Sequence, residues 1–154
     1  MGKRELLVVR QVFETWWIAV PAGFDERWIA DGSYWHAWDR RRSVSLSSTT
    51  ILDEAGDPPA ADDILASLAA LTEGEPIADA PAGLLARAAF IRTDAGSRAP
   101  RALCGVAVVD GRVLTTTITS ADRAWAIGIW RTIRYLPAAG AAGVLADSVG
   151  RRID

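Results

Sequence analysis

The sequence predicts an α+β fold: a mostly antiparallel, twisted sheet of about six to seven strands flanked by two or three helices. Three observations carry this. Short runs rich in β-branched and aromatic residues end at turn-forming pairs, Asp31-Gly32 and Asp110-Gly111 among them. Helical spacing of apolar residues appears in two places, after Asp62 and after Ser120. The strand-like runs fall into two groups, one before the first helix and one between the helices, and hairpin connections favour antiparallel pairing.

Taken in order, the run 13–20 (FETWWIAV) reads as a strand that stops at Pro21, Ala22 and Gly23. A short strand at 27–30 meets Asp31-Gly32, where both positions tolerate positive φ, and Tyr34 to Trp38 return from it. Asp39 to Arg42 form the next polar turn, and Ser43 to Ser47 alternate with period two. Asp57, Pro58 and Pro59 break the sheet. Asp62 then caps a helix carrying Ile64, Leu65, Leu68 and Leu71. Residues 72–85, with two glycines and two prolines, read as a loop. Strands follow at 86–92, 102–109 and 112–119. Ser120 is the expected N-cap of a helix from Ala121 to about Tyr135, which Pro137 ends. Residues 1–137 read as one domain and 138–154 as an Ala/Gly-rich tail or short helix.

At 154 residues, half of them hydrophobic, the chain can fill a single core. The N-terminal apolar run is too short for a secretory signal, and no stretch reaches the length of a membrane helix, so the expected location is cytoplasmic. Cys104 and His36 are the sole cysteine and histidine. That excludes an intramolecular disulfide and leaves too few ligands for a Cys/His zinc site. Phosphate-cradling glycine loops are absent, so no cofactor is expected. Net charge is −2, unevenly spread. Residues 43–86 contain no Lys or Arg, and their acids run from Asp53, Glu54 and Asp57 to Asp79. Two readings stand: solvated loops, or a surface for a basic partner. Nucleic-acid binding would rest on Arg40 to Arg42 and a few helix arginines in an acidic chain, and is not expected.

The strand that runs into Pro21, Ala22, Gly23 and Phe24 resembles the "strand, Pro, small, aromatic" opening of the Mog1/PsbP-like superfamily. The stretch 117–134 (TITSADRAWAIGIWRTIR) resembles that superfamily's closing strand and helix. The order of elements agrees over residues 12–135. The resemblance implies an α/β/α sandwich that works as a non-enzymatic binding or assembly factor. It brings no catalytic residues to carry over, and partners differ between branches of the superfamily.

Candidate chemistry is sparse. His36 and Asp39 stand three apart, so a continuous strand points them to opposite faces, and no nucleophile-elbow motif supplies a serine. Cys104 sits in an apolar strand, where a thiol behaves as a small hydrophobe. Five of the seven tryptophans fall within the first 38 residues, on both faces of their strands. Either both faces are covered, or Tyr34, His36 and Trp38 form an open aromatic row for a partner or an apolar ligand. Ser43, Ser45, Ser47 and Thr49 form one hydroxyl row and Thr115, Thr117 and Thr119 another, a solvent face or a polar lining. On the last helix, angular spacing puts Ala121, Trp125, Gly128, Ile129, Thr132 and Ile133 on the buried stripe, with Gly128 used for close approach to a strand. Arg123, Ile127, Arg131 and Arg134 fall opposite, with Trp130 at the margin. This set reads either as an interface anchor or as Arg stems lying over Trp130. The sequence thus points to a non-catalytic module that binds another protein, basic where it meets the acidic segment; a homodimer is compatible. The alternative is a small-molecule-binding domain with an aromatic-lined pocket, against Trp35 or against the Tyr34 row.

Overall fold

A computed structural model describes residues 4–92 and 101–137, and the expectation for the 138–154 tail lies outside them. The elements are β1 (Leu7–Val12), β2 (Trp16–Pro21), β3 (Asp25–Ile29), β4 (Tyr34–Trp38), β5 (Ser43–Thr50), α1 (Ala61–Ser67), a 3₁₀ turn (Ala69–Thr72), β6 (Glu75–Ile77), β7 (Leu85–Arg92), β8 (Arg101–Val109), β9 (Arg112–Thr119), α2 (Arg123–Arg131) and β10 (Arg134–Tyr135). They form two sheets, ordered β3-β4-β5-β9-β8-β7-β6 and β1-β2-β10. Every paired strand is antiparallel.

Of the expected strand 13–20, residues 16–20 belong to β2, and 13–15 form a turn. Phe13 and Glu14 take φ of 52° and 67°, so the chain reverses there and β1 folds back on β2. Neither residue is Gly, Asn or Asp, so local chemistry gave no warning; the register that buries Val12, Trp16, Ile18 and Val20 together holds the turn in place. The two Asp-Gly hairpins form as expected. Asp110 and Gly111 have φ of 47° and 77°, and a Cβ on Gly111 would lie 2.6 Å from the Ile51 carbonyl oxygen.

Helix boundaries moved. α1 begins after Ala60 with no side-chain cap, so Asp62 lies inside its first turn instead of capping it. Asp122, not Ser120, caps α2: its side chain accepts from the Trp125 N–H at 3.1 Å, while the Ser120 hydroxyl accepts from the Asp122 N–H at 3.0 Å. α2 ends at Arg131, because residues 134–135 leave to pair with β2. The loop 72–85 contains the short edge strand β6.

The large sheet divides the molecule. One face carries Trp35, Ala37, Val44, Leu46, Leu103, Leu114 and Ile118, which pack in one cluster with the inner face of the small sheet and with α2. On the other face, α1 seats Ile64 and Leu65 on Val106, Val108 and Val113. The α2 stripe is rotated from the expected one. Ala126, Ile129, Trp130 and Ile133 are buried at spacing i, i+3, i+4, i+7, whereas Ala121 and Gly128 are exposed. Trp130 decides the rotation: its ring lies where a Cβ on Gly105 would meet it at 2.6 Å. Close approach therefore belongs to Gly105 on β8, and a Cβ on Gly128 would meet nothing within 4 Å.

Candidate functional site

α1 and the 3₁₀ turn lie over β7, β8 and the Val113 end of β9, and among the described residues no helix lies over β3, β4, β5 and the rest of β9 on that face. Cross-strand register sets what it presents. Tyr34 lies opposite Ser47 and Ser47 opposite Thr115; His36, Ser45 and Thr117 form the next row, with Cys104 beyond; Trp38, Ser43 and Thr119 form the third. Alternation sends Trp35 (2% exposed) and Ala37 into the core and leaves Tyr34 half exposed on the open side. No pocket can therefore form against Trp35. Both readings of the tryptophans hold in part: Trp16 and Trp35 are core, while Trp38 is only partly covered.

Within the rows the His36 ring stacks on Trp38, centroids 4.9 Å apart and planes at 19°, with the Arg27 guanidinium 6.0 Å from the Trp38 centroid. His36 Nδ1 and the Ser45 hydroxyl share a 2.7 Å hydrogen bond. Desolvation, and then the charge of Arg27, hold the imidazole below its ordinary pKa, against a backbone bond to Val44 that raises it. This is not an assembled triad. Asp39 is occupied elsewhere, accepting from the Arg41 and Arg42 N–H groups at 2.8 Å each and from the Arg42 guanidinium. Burial pushes the Cys104 thiol up, only partly offset by a hydrogen bond from Thr117, which weakens it as a nucleophile.

The acidic segment borders the same face. β5 ends at Thr50, beyond the Tyr34 row, and the loop that follows leads to α1. Asp53 is spent on building that loop: its Oδ1 accepts from the Ala55 and Asp57 N–H groups at 2.9 Å each. Glu54 and Asp57 stand exposed beside it. Of the expected sets, Tyr34, His36 and Trp38 share one face of β4, and Asp53, Glu54 and Asp57 stand together in the loop after β5.

The third set does not assemble. Trp130, expected at an exposed margin, is fully buried and donates from Nε1 to the Asp79 carbonyl at 3.1 Å. Arg123 pairs with Glu75 and stacks 4.3 Å over Phe90, beside a depression of about 370 Å³ that Ile127 also lines. Arg134 lies on the other flank of α2, donating to the Arg131 and Ile133 carbonyls at 2.7 Å, in a depression of about 430 Å³ with Val9, Ala19, Gly128 and Thr132. Sequence reasoning also missed Ser45 as the partner of His36. The signal was present, since a turn centred on Arg40 and Arg41 places 45 opposite 36.

No protein-family model matches the chain, and no curated protein matches it. Among solved structures, it is similar to the solution structure of cyanobacterial PsbP (CyanoP) from Synechocystis sp. PCC 6803, with a TM-score of 0.56 over 87% of this chain and 94% of that one, at 13% identity. Identity this low speaks for the fold alone.

Proposed function

We propose that this chain, which has a Mog1/PsbP-like fold, is a non-catalytic binding module that holds another protein against the open half of its large sheet. The observation that carries the reading is the four-strand surface where Tyr34, His36 and Trp38 stand beside rows of serine and threonine hydroxyls with no helix over them among the described residues. Aromatic rings that combine apolar area with polar tips, edged by hydroxyls, suit a partly polar protein interface. The exposed Glu54 and Asp57 at one end favour a partner with basic residues there. Catalysis finds less support, since among the described residues His36 meets a hydroxyl but no carboxylate, and Asp39 is engaged by Arg42. Among the described residues no helix is long and apolar enough to cross a membrane.

The test is photo-crosslinking in the native host. A benzophenone amino acid replaces Tyr34 in one variant and Arg123, on the far side of the sheet, in another. A discrete adduct is expected from position 34, absent from position 123 and lost when Trp38→Ala is added to a chain that still folds. Adducts from position 123 alone, or an adduct indifferent to Trp38→Ala, would sink the proposal.

A further inference from the structure

The outer strand of the small sheet carries a feature that the binding surface above does not use. β1 pairs with β2 alone, so its other edge meets no strand among the described residues. The Leu6 carbonyl accepts from the Ala22 N–H at 2.9 Å, which makes Leu6–Ala22 a hydrogen-bonded pair. Alternation along an antiparallel ladder then makes Val8, Arg10 and Val12 the residues bonded to β2. The N–H and C=O groups of Leu7, Val9 and Gln11 point outward. Natural edges are usually guarded by Pro, a bulge or outward charge. This one has neither Pro nor bulge, and its one charge, Arg10, is turned inward to Glu26 at 2.8 Å. Side chains along it are apolar and open: Leu6 is 73% exposed and Val9 62%.

We infer that β1 pairs with β1 of a second copy, antiparallel about a twofold axis through Val9, joining the two small sheets into one. Charge and apolar cover argue for a second copy. The outward residues, 7, 9 and 11, are symmetric about 9. A copy turned by the twofold therefore sets Val9 against Val9 and Leu7 against Gln11, so that every outward donor and acceptor is matched in both chains. Arg10 then faces Val8 of the other copy, so no like charges oppose each other. Leu6 falls opposite Val12 of the other copy, next to Phe13 and Trp28, whose rings meet edge-on at 5.3 Å and whose indole is 48% exposed. Leu6, the most exposed large apolar side chain among the described residues, thereby gains cover beside an open aromatic. An edge contact of this length is at the small end of specific interfaces, so the dimer should dissociate on dilution.

Sedimentation of the full chain from low micromolar to near-millimolar concentration tests this. Val9→Pro removes an N–H that β2 does not use, a position where edge strands accept proline. Val9→Lys adds an outward charge and leaves the backbone untouched, and so carries the test if the proline variant misfolds. The expected result is a concentration-dependent dimer in the parent chain and a monomer at all concentrations in the variants, with unchanged circular dichroism. A parent chain that stays monomeric throughout, a dimer that survives Val9→Lys, or a monomer whose β1 captures only an unrelated extended peptide would each overturn the inference. The crosslinking at position 34 reports the other face, so the two proposals fail separately.

Discussion

Gly105 and Gly128 should respond in opposite directions to the same substitution. At Gly105 a new methyl would meet the indole of a fully buried Trp130 at 2.6 Å. Neither the β8 backbone nor the packed ring can yield far, and overfilling of this kind costs about 1–3 kcal/mol. Gly128 sits mid-helix, exposed, with nothing within 4 Å of a built Cβ, so Gly128→Ala should stabilise by roughly 0.5–1 kcal/mol through helix propensity. Urea unfolding of the two variants checks both signs; equal shifts would mean that Trp130 does not rest on Gly105. The sequence allowed the reverse assignment because helix angles alone cannot rank two apolar stripes that share Ile129 and Ile133. What decided was a vacancy on another strand, and a missing side chain leaves no periodic signal.

Among elements, Arg42 couples segments far apart in the chain. From the β4–β5 turn its guanidinium grips Glu5 through two bonds of 2.9 and 2.7 Å, reaches Asp39 at 2.8 Å, and lies 4.5 Å from the Trp125 ring on α2 and 5.3 Å from Phe24. Trp125 Nε1 in turn donates to Glu5 at 2.9 Å. The segment before β1, a turn of the large sheet and the second helix are thus tied at one planar cation. Arg42→Lys keeps the charge but loses the fork and the stacking. Partial exposure discounts each bond, so a loss of about 1–2 kcal/mol is expected, with the N-terminal segment loosened first. Amide exchange at Val8 and Arg10, whose N–H groups bond to β2, that stays as slow as in the parent would contradict this. The strands bounded by Asp31-Gly32 and Asp110-Gly111 could be read from sequence because those residues state the turn directly. β1, β6 and β10 could not: β1 ends in a turn made by Phe13 and Glu14, β6 is three residues long, and β10 exists only because β2 offers it an edge.

Over the whole molecule, the layers were legible and their coverage was not. The period-two rows of residues 34–38 and 43–47 fixed which side chains share a face, but α1 is too short to cover a seven-stranded sheet, and which half stays open depends on packing among Val106, Val108 and Val113. That openness bears on stability against pH. Desolvation on the sheet, followed by the charge of Arg27, holds His36 below its ordinary pKa, so the folded state binds its proton less readily than the unfolded chain. The resulting contribution is complete above about pH 6.5, the unfolded value, and is lost as pH falls through the folded one. A second loss belongs to carboxylates. Glu5 is held low first by its bond to Arg42; for Asp39, burial works upward, but the bonds from Arg42 and from the Arg41 and Arg42 N–H groups prevail. Their contribution is present above the ordinary carboxylate range and disappears as pH drops through the lowered values. Unfolding free energy should therefore decline toward acid in two stages. His36→Phe, which keeps a ring to stack on Trp38, should erase the first stage and leave the second. Urea midpoints at pH 7.5 and 5.5 decide it: a parent and variant that lose stability equally across that interval would place the first stage somewhere other than the imidazole.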